Sequence, residues 1–279
     1  MRGAFETWDD YFIPGTTVLR NKHNETDAVL LRQREEDAAQ IRLTQLAGRP
    51  IEGAFDFDHM KAIHRHIFQD TYEWAGQSRV VPLTPMTKAG PDVVNYPPGH
   101  AGAPQVAYAY YPGPAIAEAA DAQYAKLAGE AHLKGLDRDA FVGRLAEHWG
   151  EINTIHAFRE GNTRSQFAFF SQLATNAGYQ LDAGQFARGA PLREAFVQAR
   201  FYNQATGRSD RLEAALKPAI TASPAAASDQ ERAASVAQQH GLRGVGLSFP
   251  RGPRPVSGAS SPGAARTKPA VPRDYGVER

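Results

Sequence analysis

The densest concentration of reactive side chains lies in one run, His156-Ala157-Phe158-Arg159-Glu160-Gly161-Asn162-Thr163-Arg164. It sets an imidazole, a carboxylate fit to hold a metal ion, a glycine, a side-chain amide and a guanidinium just ahead of an apolar helical segment that begins near Ser165. A backbone turning through Gly161 into a helix start points free N–H groups outward, where an anion meets both those donors and the positive end of the helix dipole. Phosphate handling is the chemistry that suits these residue types at this spacing. Each has a plainer reading when taken singly: Glu160 and Arg164, four apart, suit a surface ion pair, and Asn162 suits a helix cap. Their convergence in one run favours the chemical reading.

The chain around this run has 279 residues, 42% hydrophobic and 22% charged, enough for one substantial domain with extra segments or for two small ones. A formal net charge of +1 argues against attraction of the whole chain to nucleic acid. Cysteine is absent, which excludes disulfides and thiolate metal sites and fits a cytoplasmic setting. Residues 1–10 carry acidic side chains and no apolar core, and no later window reaches the length of a membrane span, so neither a signal peptide nor a membrane partner is expected. From 222 onward the sequence turns rich in Ala, Ser, Pro and Gly with few large apolar residues, and is expected to form a disordered tail. Residues 1–221 are thus read as the folded domain and 222–279 as a basic tail, whose plainest role is solubilising.

Elements that position the run follow from periodicity. Tyr11 to Lys22 reads as an extended entry with a turn at Pro14-Gly15, and Thr26 to Leu46 as an amphipathic surface helix using Val29, Leu30, Ala38, Ile41 and Leu46. Asp56 suits the N-cap of a core helix in which Phe57, Met60, Ile63, Ile67 and Phe68 recur. His59, His64 and His66 lie on that helix at spacings poorly suited to shared metal ligation. Gly76 then suits a left-handed turn.

Gln77 to Leu83 alternates like a strand and Thr84 to Pro98 is rich in turn residues, which predicts a hairpin whose exposed edge suits an extended peptide. Ala101 to Pro114 reads as an irregular aromatic loop. Further helices are expected over Ala115 to Leu133, from Asp137 through Ile152, over Ser165 to Ala177 with Phe167, Phe170, Leu173, Ala174 and Ala177 inward, and around Gln185 to Ala205 and Arg208 to Ile220. The class is mainly α, about seven helices and one hairpin.

With these residues in place, the run His156 to Arg164 resembles the signature of the Fic family, H-x-F-x-(D/E)-G-N-G/x-R. Other pieces agree: Tyr11-Phe12-Ile13-Pro14-Gly15 with Leu19-Arg20-Asn21-Lys22, then His64-Arg65-His66-Ile67-Phe68-Gln69 followed by Tyr72-Glu73-Trp74-Ala75-Gly76, and Thr87-Lys88-Ala89-Gly90 leading to Tyr96-Pro97-Pro98. The likeness covers roughly Tyr11 to Ile220. It implies a helical Fic-type bundle with a hairpin flap over the active-site loop, and a protein adenylyltransferase that moves AMP from ATP to a Tyr, Thr or Ser hydroxyl of a target protein, as in bacterial toxins.

In that reading His156 is the base for the incoming hydroxyl, and Glu160 holds Mg²⁺ bridging the α- and β-phosphates. Gly161, Asn162, Thr163 and Arg164 bind phosphate, Asn162 through its side-chain amide and Arg164 through its planar fork. Phe158 anchors the run in the core, and Thr87, Lys88, Ala89 and Gly90 form the flap that docks the target. Two departures from the family pattern stand out. Position 167, where many members carry a second arginine for the γ-phosphate, is Phe167, which leaves open another donor or phosphoryl transfer. The family's inhibitory sequence, S/T-x-x-x-E-G/N, has no match here, which leaves room for a separate small antitoxin. A non-catalytic module capturing peptides on the flap is a third reading, weakened by the presence of both His156 and Glu160.

Overall fold

The computed structural model describes residues 5–223; the expected tail from 222 lies almost wholly outside the described residues. Among these, seven α-helices and two small antiparallel sheets follow one another as α1 (Ala28–Gly48), α2 (Phe57–Phe68), β1 (Thr87–Pro91), β2 (Gln105–Ala109), α3 (Ile116–Gly129), α4 (Arg138–Ile155), α5 (Asn162–Asn176), β3 (Tyr179–Leu181), α6 (Arg193–Thr206), α7 (Asp210–Leu216) and β4 (Ile220–Ala222). No helix among the described residues is long and apolar enough to cross a membrane.

Three of the helix starts are written in their caps. Asp27 accepts from the N–H groups of Val29 and Leu30, Asp56 from that of His59, and Asp137 from that of Ala140, each relieving orphaned donors of a first turn. The fold is built around α4. Phe141, Val142, Leu145, Ala146 and Trp149 are fully buried, and α3, α5, α6 and α7 all pack against it. Burying side chains of this size contributes about 2 kcal/mol each before conformational entropy is subtracted. On α5 the inward stripe is Phe169, Phe170, Leu173 and Ala174, so Phe169 replaces the expected Phe167 and Ala177, which are half-buried.

Four expectations need correction. Gln77 to Leu83 forms no strand: the Arg79 N–H donates to the carbonyl of Ala157 at 2.8 Å, so the segment lies along the His156 loop. The hairpin instead pairs β1 with β2, Thr87 opposite Ala109 and Gly90 opposite Val106, and takes one strand from the stretch expected to be an irregular loop. The region from Arg208 to Ile220 does not remain helical; α7 stops at Leu216 and the chain turns into β4, which pairs with β3 through Leu181 opposite Ile220. On α1 the side buried against the core carries Leu31, Glu35, Ala39 and Leu46, while Val29, Leu30 and Ile41 are exposed. A glutamate in the buried stripe is the price of a partner on α5.

Candidate active site

Helix α4 ends at Ile155, and His156 takes a left-handed conformation (φ 47°, ψ 58°) with its N–H still bonded to the carbonyl of Ile152 at 3.3 Å. Non-glycine residues adopt this region at a cost of order 1 kcal/mol, so surrounding contacts must hold it. They do so from three sides. Arg79, almost fully buried, donates through Nε to the His156 carbonyl at 2.8 Å and through an Nη to that of Tyr111 at 2.6 Å. His64 donates from Nε2 to the Glu160 carbonyl at 2.9 Å while its Nδ1 accepts from the Gly76 N–H at 2.8 Å, which fixes the neutral tautomer. Burial pushes the His64 pKa down to about 3, consistent with that tautomer. Asn162 closes the loop on itself, with Oδ1 accepting from the Phe158 N–H at 2.8 Å and Nδ2 donating to the Phe158 carbonyl at 2.7 Å.

These bonds engage the carbonyls of His156, Phe158 and Glu160 and the Phe158 N–H, and pin the shape of the loop. Phe158 is buried with its ring stacked on His64, 3.9 Å between centroids. Gly161 sits at φ +79°, and a Cβ there would stand 2.2 Å from the Phe68 ring, so the turn into α5 admits only glycine. The Asn162 amide, expected to reach phosphate, is engaged with Phe158 and 2% exposed, which leaves its backbone N–H as its route to an anion.

Beyond the loop lies a cavity of about 700 Å³. Glu160, Gly161, Thr163 and Arg164 line it from the loop and first turn of α5, and Lys88, Ala89 and Gly90 line it from the hairpin. The sequence-predicted flap and phosphate residues therefore meet in one space, apart from Thr87 and Asn162. His156 is set back from it: the side chain is 7% exposed, and its ring packs 4.3 Å from that of Tyr110, which does line the cavity. Phe158 lies behind the loop.

Several contributing residues carry no sequence signal of their own. Glu35, 5% exposed on α1, meets Arg164 with 2.6 Å between Oε1 and an Nη, and the second carboxylate, Glu160, stands 3.6 Å from the other Nη. The Arg164 guanidinium also lies over the Phe68 ring at 4.6 Å. The plain ion pair between Glu160 and Arg164 thus exists beside the Glu35 contact. With five N–H donors in a planar fork, Arg164 has capacity for a phosphate in addition to these carboxylates. Arg159 is held over the rings of Trp8 at 4.2 Å and Phe12 at 5.1 Å, which ties the N-terminal segment to the cavity wall. From α6, Arg200 reaches the hydroxyl of Thr163 at 3.0 Å.

No cluster of three or more His, Cys, Asp or Glu side chains suited to a metal ion occurs among the described residues. His59 bonds the Ile51 carbonyl and His64 the Glu160 carbonyl, so these two serve the backbone. Glu160 accepts from the Gly161 N–H at 3.0 Å through Oε1 and lines the cavity. One hard carboxylate at such a place fits Mg²⁺, which takes few protein ligands and fills its shell from phosphate and water.

The fold is of the mainly α class: a helical bundle with a glycine-turned loop at a helix N-terminus, facing a cavity beside a hairpin. The profile of the Fic/DOC family matches residues 54–174. Over 175 residues the chain is 36% identical to the probable protein adenylyltransferase y4lH of Sinorhizobium fredii, covering 62% of this chain and 79% of that one. It is 34% identical over 213 residues to the protein adenylyltransferase VbhT of Bartonella schoenbuchensis, a match that takes in 76% of this chain but 39% of the much longer relative. Among solved structures, BepC of Bartonella tribocorum with bound AMPPNP superposes with a TM-score of 0.62 at 23% identity, over 77% of this chain and 97% of that one. The chain belongs to the Fic/DOC family.

Proposed function

We propose that this protein is a protein adenylyltransferase, transferring AMP from ATP to a hydroxyl side chain of a target protein. The observation that carries the reading is the convergence, in one cavity, of Glu160, Gly161 and the first turn of α5 with the edge of the hairpin. The adenylyltransferase names of the family relatives give it chemical direction.

The chemistry follows from the groups at hand. His156 accepts the proton of the target hydroxyl as its oxygen attacks the α-phosphorus; a bond forms from oxygen to phosphorus, the bond from the α-phosphorus to the bridging oxygen breaks, and pyrophosphate leaves. The N–H groups of the first turn of α5 and the Arg164 fork oppose charge on the phosphate oxygens. Mg²⁺, held by Glu160 together with the phosphates, would supply charge neutralisation when bound. Catalysis is then positioning and charge stabilisation, without a covalent enzyme intermediate.

The hairpin edge at Thr87 to Gly90 aligns an extended stretch of target by main-chain hydrogen bonds, a mode that places few demands on target sequence. A cytoplasmic setting fits the lack of cysteine, and restraint by a separate small antitoxin fits the lack of the inhibitory sequence.

A second reading is favoured by Phe167, which stands at the position of the family pattern's second arginine and packs against Trp149, Phe186 and Phe196. It is transfer of a phosphoryl group, or use of another nucleotide. Incubating the purified protein and a cell lysate with α-labelled or γ-labelled ATP separates the two: label on protein from the α position alone supports adenylylation, and label from the γ position alone overturns it.

A further inference from the structure

The phosphate end of the cavity poses a charge problem. A nucleoside triphosphate brings several negative charges, yet Arg164 is already paired with the buried carboxylate of Glu35 and lies 3.6 Å from that of Glu160. The next turn of α5 contributes no cation, because Phe167 belongs to an aromatic cluster with Trp149, Phe186 and Phe196.

Positions 163 and 167, four apart, share one face of α5. On that face Arg200 arrives from α6. One Nη donates to the Thr163 hydroxyl at 3.0 Å and to the Asn153 side-chain oxygen at 3.1 Å, and the guanidinium lies 5.0 Å from the centroid of the Phe196 ring. Phe196 in turn is 5.2 Å from Phe167. The aromatic cluster that includes Phe167 thus carries the arginine of α6 on its surface. Arg188 and Arg193 also line the cavity, with Arg193 donating to the Phe186 carbonyl at 3.3 Å, and of the three it is Arg200 that bonds the first turn of α5.

We propose that Arg200 is a phosphate-contacting residue of the nucleotide site, supplying from α6 the cation that α5 lacks at position 167 and gripping the phosphates beyond the α position. Thr163 is then a positioning residue: its hydroxyl holds the guanidinium beside the N–H groups of the first turn. The inference rests on the reading of the cavity as a nucleotide site. It removes the main objection to ATP as donor, since the missing arginine of α5 has a substitute of equal charge and the same planar, two-pronged donor geometry.

Calorimetric titration of the full chain with ATP, ADP and AMP, each with Mg²⁺, tests it. A guanidinium contact to the outer phosphates predicts that Arg200→Ala weakens ATP by about tenfold or more, ADP by less, and AMP by less than about twofold. Arg200→Lys recovers part of the ATP loss, and Thr163→Val produces a smaller loss with the same ordering. Should Arg200→Ala fail to fold, Arg200→Gln, which keeps a polar stem over Phe196, answers the same question. Equal losses for the three nucleotides, or none, overturn the assignment of Arg200 while leaving the site a nucleotide site. Failure of the wild-type protein to bind any of the three overturns the nucleotide reading and this inference together.

Discussion

His64 shows how much of the active loop depends on a residue outside it. Its neutral ring bridges the Gly76 N–H and the Glu160 carbonyl and stacks on Phe158. Because its folded pKa lies near 3 and the unfolded value near 6.5, the unfolded chain binds more protons between those limits, so stability rises with pH there and falls on acidification. His59 and His66 are shifted in the same direction, chiefly by burial. Thermal melts should therefore show stability falling as pH drops below about 6.5, by at most about 1.4 kcal/mol per pH unit from His64, and His64→Gln should flatten that slope. A slope unchanged in the variant would remove His64 as its source.

Glu35 is the counterpart on the charged side. Glu35→Gln keeps a hydrogen-bond acceptor for Arg164 but withdraws the buried charge, so calorimetry should show ATP binding tightened several-fold, alongside a stability loss of about 1–3 kcal/mol. Weaker ATP binding would mean that Glu35 orients Arg164 instead of competing with phosphate for it. Neither role could be read from the sequence. His64 and its loop carbonyl are 96 residues apart, and Glu35 appeared as one charge among several on a surface helix. The run from His156 to Arg164 stood out in the sequence because its residues are contiguous; the Asn162 amide, read there as reaching phosphate, is engaged with the Phe158 backbone, a use that only the fold shows.

At the scale of elements, the helices were readable from caps and apolar spacing, and α2 and α4 follow their patterns closely. The hairpin was expected in the right region with the wrong strands. Gln77 to Leu83 has a strand's alternation but places Arg79 on the His156 loop, whereas β1 follows its Thr87 with Lys-Ala-Gly-Pro, residues that disfavour strands. Its Gly90 is explained by α6, since a Cβ at that position would stand 2.7 Å from the Phe201 ring. Gly90→Ala should therefore shift the hairpin off α6 and reduce target labelling more than ATP binding; an equal effect on both would show that the hairpin serves the nucleotide. At the other end of the loop, Gly161→Ala meets both Phe68 and an unfavourable φ, and should cost about 1–3 kcal/mol in melts with loss of labelling. A variant as stable and active as wild type would mean the turn is looser than its geometry indicates.

Across the whole molecule, the cavity is a product of assembly: α1 brings Glu35, the loop and α5 bring Glu160 and Arg164, the hairpin brings Lys88 to Gly90, and α6 brings Arg200. Composition and net charge bounded this outcome without specifying it, because a chain of near-neutral charge still gathers several arginines at one place. The central claim is that this assembly moves AMP to a protein hydroxyl with His156 as base. It is tested most directly by incubating wild type and His156→Ala with α-labelled ATP and Mg²⁺ in a cell lysate, after showing that both fold and bind ATP alike. The account predicts a labelled protein band with wild type and a loss of about a hundredfold or more in the variant. Undiminished labelling by His156→Ala, or no labelling by a wild-type protein that binds ATP, would contradict it.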